Sequence, residues 1–181
     1  MSSLNVNTIN EYTSANGVTI DGVLIKDNKL ASGTGNVLQV VAGTDSDDNN
    51  ISDTSYVDTG LSVSITPSST SSKILVIVQH YVFAYAGANV PFGLVQLLRD
   101  STVLTTDVPW GTKGDAHEGD ENSYIAGPLN ITYLDSPSST SALTYKTKGR
   151  YTGDGSGYLT TAYKFSSTDT VEHILAIEIG G

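Results

Sequence analysis

The stretch that decides the fold is Lys73-Ile74-Leu75-Val76-Ile77-Val78-Gln79-His80-Tyr81-Val82-Phe83-Ala84-Tyr85. It consists largely of β-branched and aromatic residues, which favour a β-strand. In an extended chain Ile74, Val76 and Val78 lie on one face, and Leu75, Ile77 and Gln79 lie on the other. Since both faces are apolar at the start of the strand, we predict a central strand of a sandwich that is buried on both sides.

The sequence on either side repeats short apolar runs that are separated by Ser, Thr, Gly, Asn and Asp, and no stretch has a helical period. From Leu61 to Ile65 apolar residues alternate with Ser62 and Ser64, so this strand should have one buried and one wet face. Strands are predicted at 37–41, 56–65, 73–85, 92–98, 102–104, 124–134, 143–151, 158–165 and 173–179.

About eight core strands predict an all-β fold, a jelly-roll-like two-sheet β-sandwich over residues 36–181. An immunoglobulin-type sandwich is the alternative, but it usually needs only ~100 residues and carries a buried Cys pair, which this cysteine-free chain lacks.

Residues 1–35 are rich in Asn and Gly and poor in apolar residues, so we predict an extended N-terminal arm. Within it, Val18, Ile20, Val23 and Ile25 flank Asp21-Gly22, which is the strongest local signal for a short β-hairpin. Such short strands are not stable alone. We therefore expect these four residues to carry attachment or trimerisation.

The chain has 9 Lys plus Arg against 19 Asp plus Glu, so its formal net charge is −10. This balance argues against binding to nucleic acid and against docking on anionic lipid. The absence of cysteine excludes disulfides and thiolate metal sites. Neither a signal peptide nor a membrane span is recognisable, since the longest apolar runs are 74–78 and 174–177.

Two polar loops are candidates for a metal or catalytic site. The stretch Asp45–Asp53 has the oxygen ligands that calcium prefers, but it lacks EF-hand spacing. The loop 107–122 contains His117 with four carboxylates nearby. Because the loop is also rich in glycine, we do not expect it to form a rigid pocket for acid–base catalysis. We interpret both as solvated loops and predict no catalytic residue, no cofactor and no metal. Trp110 and His117 are the candidates for contact with a glycan or a partner, although Trp110 could instead fold back onto the sandwich.

The segment from Leu4-Asn5-Val6-Asn7-Thr8 to Leu24-Ile25-Lys26-Asp27 resembles a module of tail-fibre and virion surface proteins of tailed phages, especially those of aquatic and cyanobacterial hosts. Residues 61–76 are similar to the start of the β-sandwich that often follows this module, and 132–137 and 174–179 are similar to its later strands. Asn28 departs from the pattern, which often has Gly there; Asn tolerates the same turn.

The resemblance implies a virion structural protein that forms a homotrimer. A short arm with one sandwich is also the plan of capsid decoration (cement) proteins, so we expect a non-enzymatic protein on the particle surface, made in the host cytoplasm and bound to the major capsid protein or another virion protein. The alternative is a short tail-fibre tip that recognises a host surface glycan. A glycan depolymerase is disfavoured because no nucleophile or acid–base pair stands out.

Overall fold

The computed structural model describes residues 18–20, 23–26, 29–30, 36–86, 92–111, 123–152, 157–162 and 171–181. Three short strands, β1 (Val18–Ile20), β2 (Val23–Lys26) and β3 (Lys29–Leu30), form an antiparallel sheet of their own. Ile20 lies opposite Val23, which confirms the predicted hairpin pairing. β3 was not predicted, and residues 21–22 lie outside the described ranges.

The rest of the described chain is also built of strands. Their bounds are β4 (Val37–Asp45), β5 (Asn49–Ile51), β6 (Val57–Ile65), β7 (Lys73–Ala86), β8 (Phe92–Arg99), β9 (Thr102–Val103), β10 (Val108–Gly111), β11 (Ser123–Asp135), β12 (Leu143–Tyr151), β13 (Gly157–Thr161) and β14 (Glu172–Ile179). Within the described ranges, no helix is long and apolar enough to cross a bilayer.

These strands form two antiparallel sheets. The five-stranded sheet has the order β10-β8-β12-β6, with β9 added on β8. In the six-stranded sheet β7 is central: β11 pairs with it along one edge, while β14 and β13 share its other edge. β4 and β5 continue the sheet beyond β14 and β13. The predicted all-β, jelly-roll-like sandwich is confirmed.

The core lies between the two sheets. Alternate residues of β7, including Ile74, Val76 and Val78, are fully buried and face Leu61 and Leu97 of the opposite sheet. The sheets approach closely where β4 crosses β6: a Cβ atom added at Gly43 would lie 1.9 Å from the carbonyl oxygen of Ser62. Only a glycine permits this contact.

Several predicted boundaries were wrong. β4 continues to Asp45 and β5 covers Asn49–Ile51, so part of the supposed acidic loop is strand. The supposed loop 107–122 begins with β10, which pairs with β8. β13 ends at Thr161 rather than Phe165, because Ala162 has a φ of 53° and turns its N–H to the Glu172 carboxylate.

The prediction that β7 is buried on both sides was also wrong for the single chain. β7 is central within its sheet, but Leu75 and Ile77 on its outer side are only half-buried. A two-layer sandwich supplies a covering layer on the inner side alone.

Candidate functional site

The structure brings together four of the sequence-predicted site residues, those of the arm. Val18, Ile20, Val23 and Ile25 lie on the paired strands β1 and β2. His117 lies outside the described residues. Trp110 lies on β10 opposite Gly93, is partly buried and packs against the core. Its ring lies over Gly127 of β11, where an added Cβ would come within 3.1 Å of it.

The acidic stretch is tied together by its own hydrogen bonds. The Asp45 carboxylate accepts from the backbone N–H of Asp47 at 3.0 Å and from the Asn49 side chain at 3.1 Å. Asn49 also donates to the Thr59 carbonyl at 2.8 Å. Among the described residues, no group of His, Asp and Glu side chains is arranged to hold a metal ion. These contacts give the stretch a structural role in joining β4, β5 and β6.

A buried polar cluster that the sequence analysis missed crosses the interior of the sandwich. His80 on β7 contacts Glu172 on β14 through Nδ1 and Oε2 at 2.6 Å. Its Nε2 contacts Thr147 Oγ1 on β12 at 2.9 Å, and Thr147 Oγ1 contacts Thr59 Oγ1 on β6 at 2.6 Å. The cluster therefore links two strands of each sheet.

The local geometry of β6 places Thr59 in this cluster. The register between β6 and β12 shifts between Lys146 and Lys148, which marks a bulge opposite Thr147. At this bulge Gly60 has a φ of 94°, and an added Cβ would lie 2.3 Å from the Asp45 carboxylate. Thr59 follows the inward series of Leu61, Val63 and Ile65 and is fully buried, so its hydroxyl meets that of Thr147 at the bulge.

The order hydroxyl, imidazole and carboxylate is that of a nucleophile, its base and the group that orients the base. The Glu172 carboxylate accepts from His80 Nδ1, and in a neutral imidazole Nε2 then accepts from the Thr147 hydroxyl. However, His80 and Glu172 are each 1% exposed and Thr147 is 0% exposed. The outer side of the bulge has a depression of about 320 Å³, but the three side chains stay buried beneath it. A substrate has no access, so the arrangement clamps the sheets.

Glu172 completes its hydrogen bonding through the backbone. Its Oε1 accepts from the N–H groups of Tyr81 at 2.9 Å and Ala162 at 2.7 Å. Both oxygens of this buried carboxylate therefore have donors, as a charge in a low-dielectric interior requires.

A second clamp joins the sheets through Asp135 at the end of β11. Arg99 on β8 donates to both carboxylate oxygens at 2.9 and 2.7 Å, and the Tyr145 hydroxyl on β12 donates at 2.7 Å. Burial and the hydrogen bond to Asp135 raise the pKa of Tyr145 well above its usual value. The phenol therefore remains a neutral donor, and both oxygens of the Asp135 carboxylate have donors within the cluster.

A third clamp fastens the loop after β6 to the C-terminal strand. Oε1 of Glu178 accepts from the Ser68 N–H at 2.7 Å, the Ser68 hydroxyl at 2.6 Å and the Ser72 hydroxyl at 2.7 Å, and Oε2 accepts from Gln39 at 2.5 Å. Burial alone would raise the pKa of Glu178, but the hydrogen bonds from Ser68, Gln39 and Ser72 lower it to about 2.

Strand parity was the signal that could have found these groups. His80 continues the inward series of Ile74, Val76 and Val78, and Glu178 continues that of Ile174 and Ala176. A polar residue on an otherwise apolar face indicates a buried polar group that needs a partner. Their partners, however, come from other strands at long sequence separations.

One cluster lies on the surface beside the five-stranded sheet. Tyr56 donates a short hydrogen bond to Asp107, Gln96 donates to the same carboxylate at 3.1 Å, and the Arg150 guanidinium lies 4.9 Å from the Tyr56 ring centre. The bond from Tyr56 lowers the pKa of Asp107, while burial and Asp107 raise the pKa of Tyr56. These shifts favour the neutral phenol and the charged carboxylate, and Arg150 pairs with the same carboxylate at 3.4 Å, so the cluster has a structural role.

The comparisons with known proteins identify no family. No protein-family profile matches the chain, and no curated protein matches it. Among solved structures it is similar to part of dimeric latent PorU from Porphyromonas gingivalis, with 8% sequence identity and a TM-score of 0.39. The match covers 83% of this chain but 14% of that chain. A similarity this low carries no argument about function.

Proposed function

We propose that this chain is a non-enzymatic structural protein of a phage particle, in the form of a homotrimeric capsid decoration protein on the virion surface. The resemblance of residues 4–27 and 61–76 to virion surface proteins supports this role. The jelly-roll-like sandwich is compatible with it, although many functions share this architecture.

The observation that carries the proposal is the buried Thr147–His80–Glu172 cluster. Its three side chains include the nucleophile and base types that hydrolases use, yet they are sealed inside the sandwich and link its two sheets. The clamps around Asp135 and Glu178 likewise use charged groups to fix the fold. Such use of polar chemistry suits a rigid scaffold that must survive outside a cell.

In this proposal the arm attaches the sandwich to the major capsid protein or another virion protein. The attachment residues are Val18, Ile20, Val23 and Ile25, since strands this short gain stability from a partner surface. The alternative function is a receptor-binding fibre tip, with Trp110 and His117 at the contact with a host glycan.

Copy number on the particle tests the proposal. Quantitative mass spectrometry of purified virions should find this chain in hundreds of copies, in fixed ratio to the major capsid protein. A handful of copies would support the fibre tip, and absence from purified particles would contradict a virion role.

A paired substitution tests the attachment segment. Ile20→Asp with Val23→Asp should abolish rebinding of the full chain to particles that have been stripped of it, because burying each aliphatic side chain is worth roughly 1.5–3 kcal/mol. Ser62→Asp, at an exposed position of the sandwich, is the matched control and should rebind fully. Full occupancy by the arm variant would assign attachment to another surface.

A further inference from the structure

The outer face of the six-stranded sheet carries a row of aliphatic side chains across four strands. Val40 pairs with Ile177, Ile177 with Leu75, and Leu75 with Leu134, so the four residues are neighbours on β4, β14, β7 and β11. Val40 is 58% exposed and Leu134 is 51% exposed. Within the described chain, no third layer covers this row.

The same face continues towards the C-terminal end of β7. The next row contains Ala42, Leu175, Ile77 and Thr132, and the row after it is polar, with Thr44, His173, Gln79 and Asn130. Further along β7, Tyr81, Phe83 and Tyr85 point outward and are partly buried, and the Tyr85 ring stacks on Tyr158 at 5.3 Å. We call the outward residues of these four strands the apolar face.

The apolar face carries no carboxylate. Among the described outward side chains of β4, β7, β11 and β14 none is Asp or Glu, although the chain has 19 such residues and a net charge of −10. Glu172 and Glu178 point inward from β14. The ionisable groups that the face does present are Lys73, His173 and its tyrosines.

We propose that the apolar face is a self-association surface on which a second copy of this chain packs. Two copies that each carry a charge of −10 repel one another, and they approach at least cost where neither presents a carboxylate. A solvated single-chain surface does not favour so large an apolar patch.

The size of the face suits such an interface. The four strands β4, β7, β11 and β14 have 9, 14, 13 and 8 residues. At about 3.4 Å per residue and about 4.8 Å between strands, their outer face covers on the order of 700 Å², which is close to the ~800 Å² per partner of a standard interface. The tyrosines and Phe83 belong to the residue types that are enriched at interface cores.

This inference names the surface that builds the proposed homo-oligomer, and it rests on the proposed function only for the number of copies. Its failure can be separated from the failure of that function. A monomeric wild type that is still found in hundreds of copies on virions would overturn the inference and leave the function standing. An oligomer that is absent from virions would overturn the proposed function and leave the inference standing.

Paired substitutions on the two outer faces test the surface. By sedimentation equilibrium, the full chain should have at least twice its monomer mass of 19.0 kDa. Val40→Asp with Leu134→Asp should weaken association by about a hundredfold or more, because two carboxylates enter the contact. Ser62→Asp with Ser64→Asp adds the same charge to exposed positions of the other sheet and should leave the mass unchanged.

Thermal melting of both variants shows whether each is folded. Loss of association in a folded apolar-face variant, with the control intact, supports the proposal. An unchanged mass in that variant, or equal dissociation of both variants, overturns it. Capture of a different protein or of the chain's own arm by a monomeric wild type would also overturn it.

A cross-linking experiment gives a second readout that does not depend on destabilising the contact. Because the chain has no cysteine, a single introduced thiol is a clean probe. Leu134→Cys or Val40→Cys should form disulfide-linked dimers on mild oxidation at micromolar concentration, whereas Ser64→Cys on the opposite outer face should not. Equal cross-linking at Ser64→Cys would contradict the assignment.

Discussion

On the outer face of the five-stranded sheet, Lys146 and Lys148 both lie near Asp58, at 3.1 and 3.9 Å, and serines occupy the neighbouring positions. On the outer face of the six-stranded sheet, the corresponding central positions are Leu75 and Ile177. Both sheets bury a largely apolar inner face in one core, apart from the polar clamps. The contrast between them lies on the sides that face away from the core.

This comparison separates two demands on a strand. Packing the sandwich requires one apolar face per sheet, and β6 has that one apolar face and no second one. Its inward residues are Leu61, Val63 and Ile65, and its outward residues include Ser62 and Ser64. β7 carries a second apolar face that the sandwich does not use. A second copy packed against that face accounts for this extra hydrophobicity.

The largest expected effect distinguishes the buried inner side of the sandwich from an exposed outer side. His80→Leu should lower the free energy of unfolding by about 3–5 kcal/mol, because it leaves Glu172 as a buried carboxylate without its side-chain donor. Ser62→Leu is the control: this serine is exposed on the outer side of the five-stranded sheet, away from the apolar face, and its loss should change stability by at most about 0.5 kcal/mol.

Denaturant unfolding at one protein concentration measures both variants, since the stability of an oligomer depends on concentration. Equal stability of the two variants would show that the buried cluster does not hold the sheets together. The two outer faces could then no longer be compared on a fixed arrangement of the two sheets.

Acidification gives the next largest effect. The pKa of Glu178 in the folded chain is about 2, against an ordinary value of 4.5. Since the folded pKa is depressed, its contribution to stability is fully present above about pH 5 and is lost as the pH falls towards 2. The size of this contribution is on the order of 3 kcal/mol.

Glu178→Gln identifies the group responsible. The variant should be less stable than the wild type at pH 7, and the difference should shrink as the pH falls from 5 to 2. Association should persist over this range for the wild type, because no described carboxylate lies on the apolar face. A difference in stability that is constant with pH would exclude Glu178 as the titrating group.

The sequence predicted the sandwich and most of its strands because alternation is a local signal. β12 occupies the range predicted for it, and β11 and β14 each differ from prediction by one residue at one or both ends. The short strands β5 and β10 were missed because pairing with another strand, rather than their composition, makes them strands.

The polar clamps could not be predicted for a related reason. His80 and Glu172 are 92 residues apart, and Thr59 and Thr147 are 88 residues apart. A single sequence shows that an inward histidine needs a partner, but the fold decides which residue supplies it. His80 itself is satisfied within the sandwich, since both of its ring nitrogens have side-chain partners.

The smallest expected effect lies on the polar outer face. Asp58 is 57% exposed, so its pair with Lys146 is screened by water. Asp58→Asn should therefore lower the free energy of unfolding by less than about 1 kcal/mol. The loss should shrink further in 1 M salt, where the Debye length is only about 3 Å. Sedimentation should give the same mass as the wild type, since this side of the sandwich meets solvent. If Asp58→Asn instead dissociated the oligomer while Val40→Asp with Leu134→Asp did not, the interface would lie on the five-stranded sheet, and the roles assigned to the two faces would be reversed.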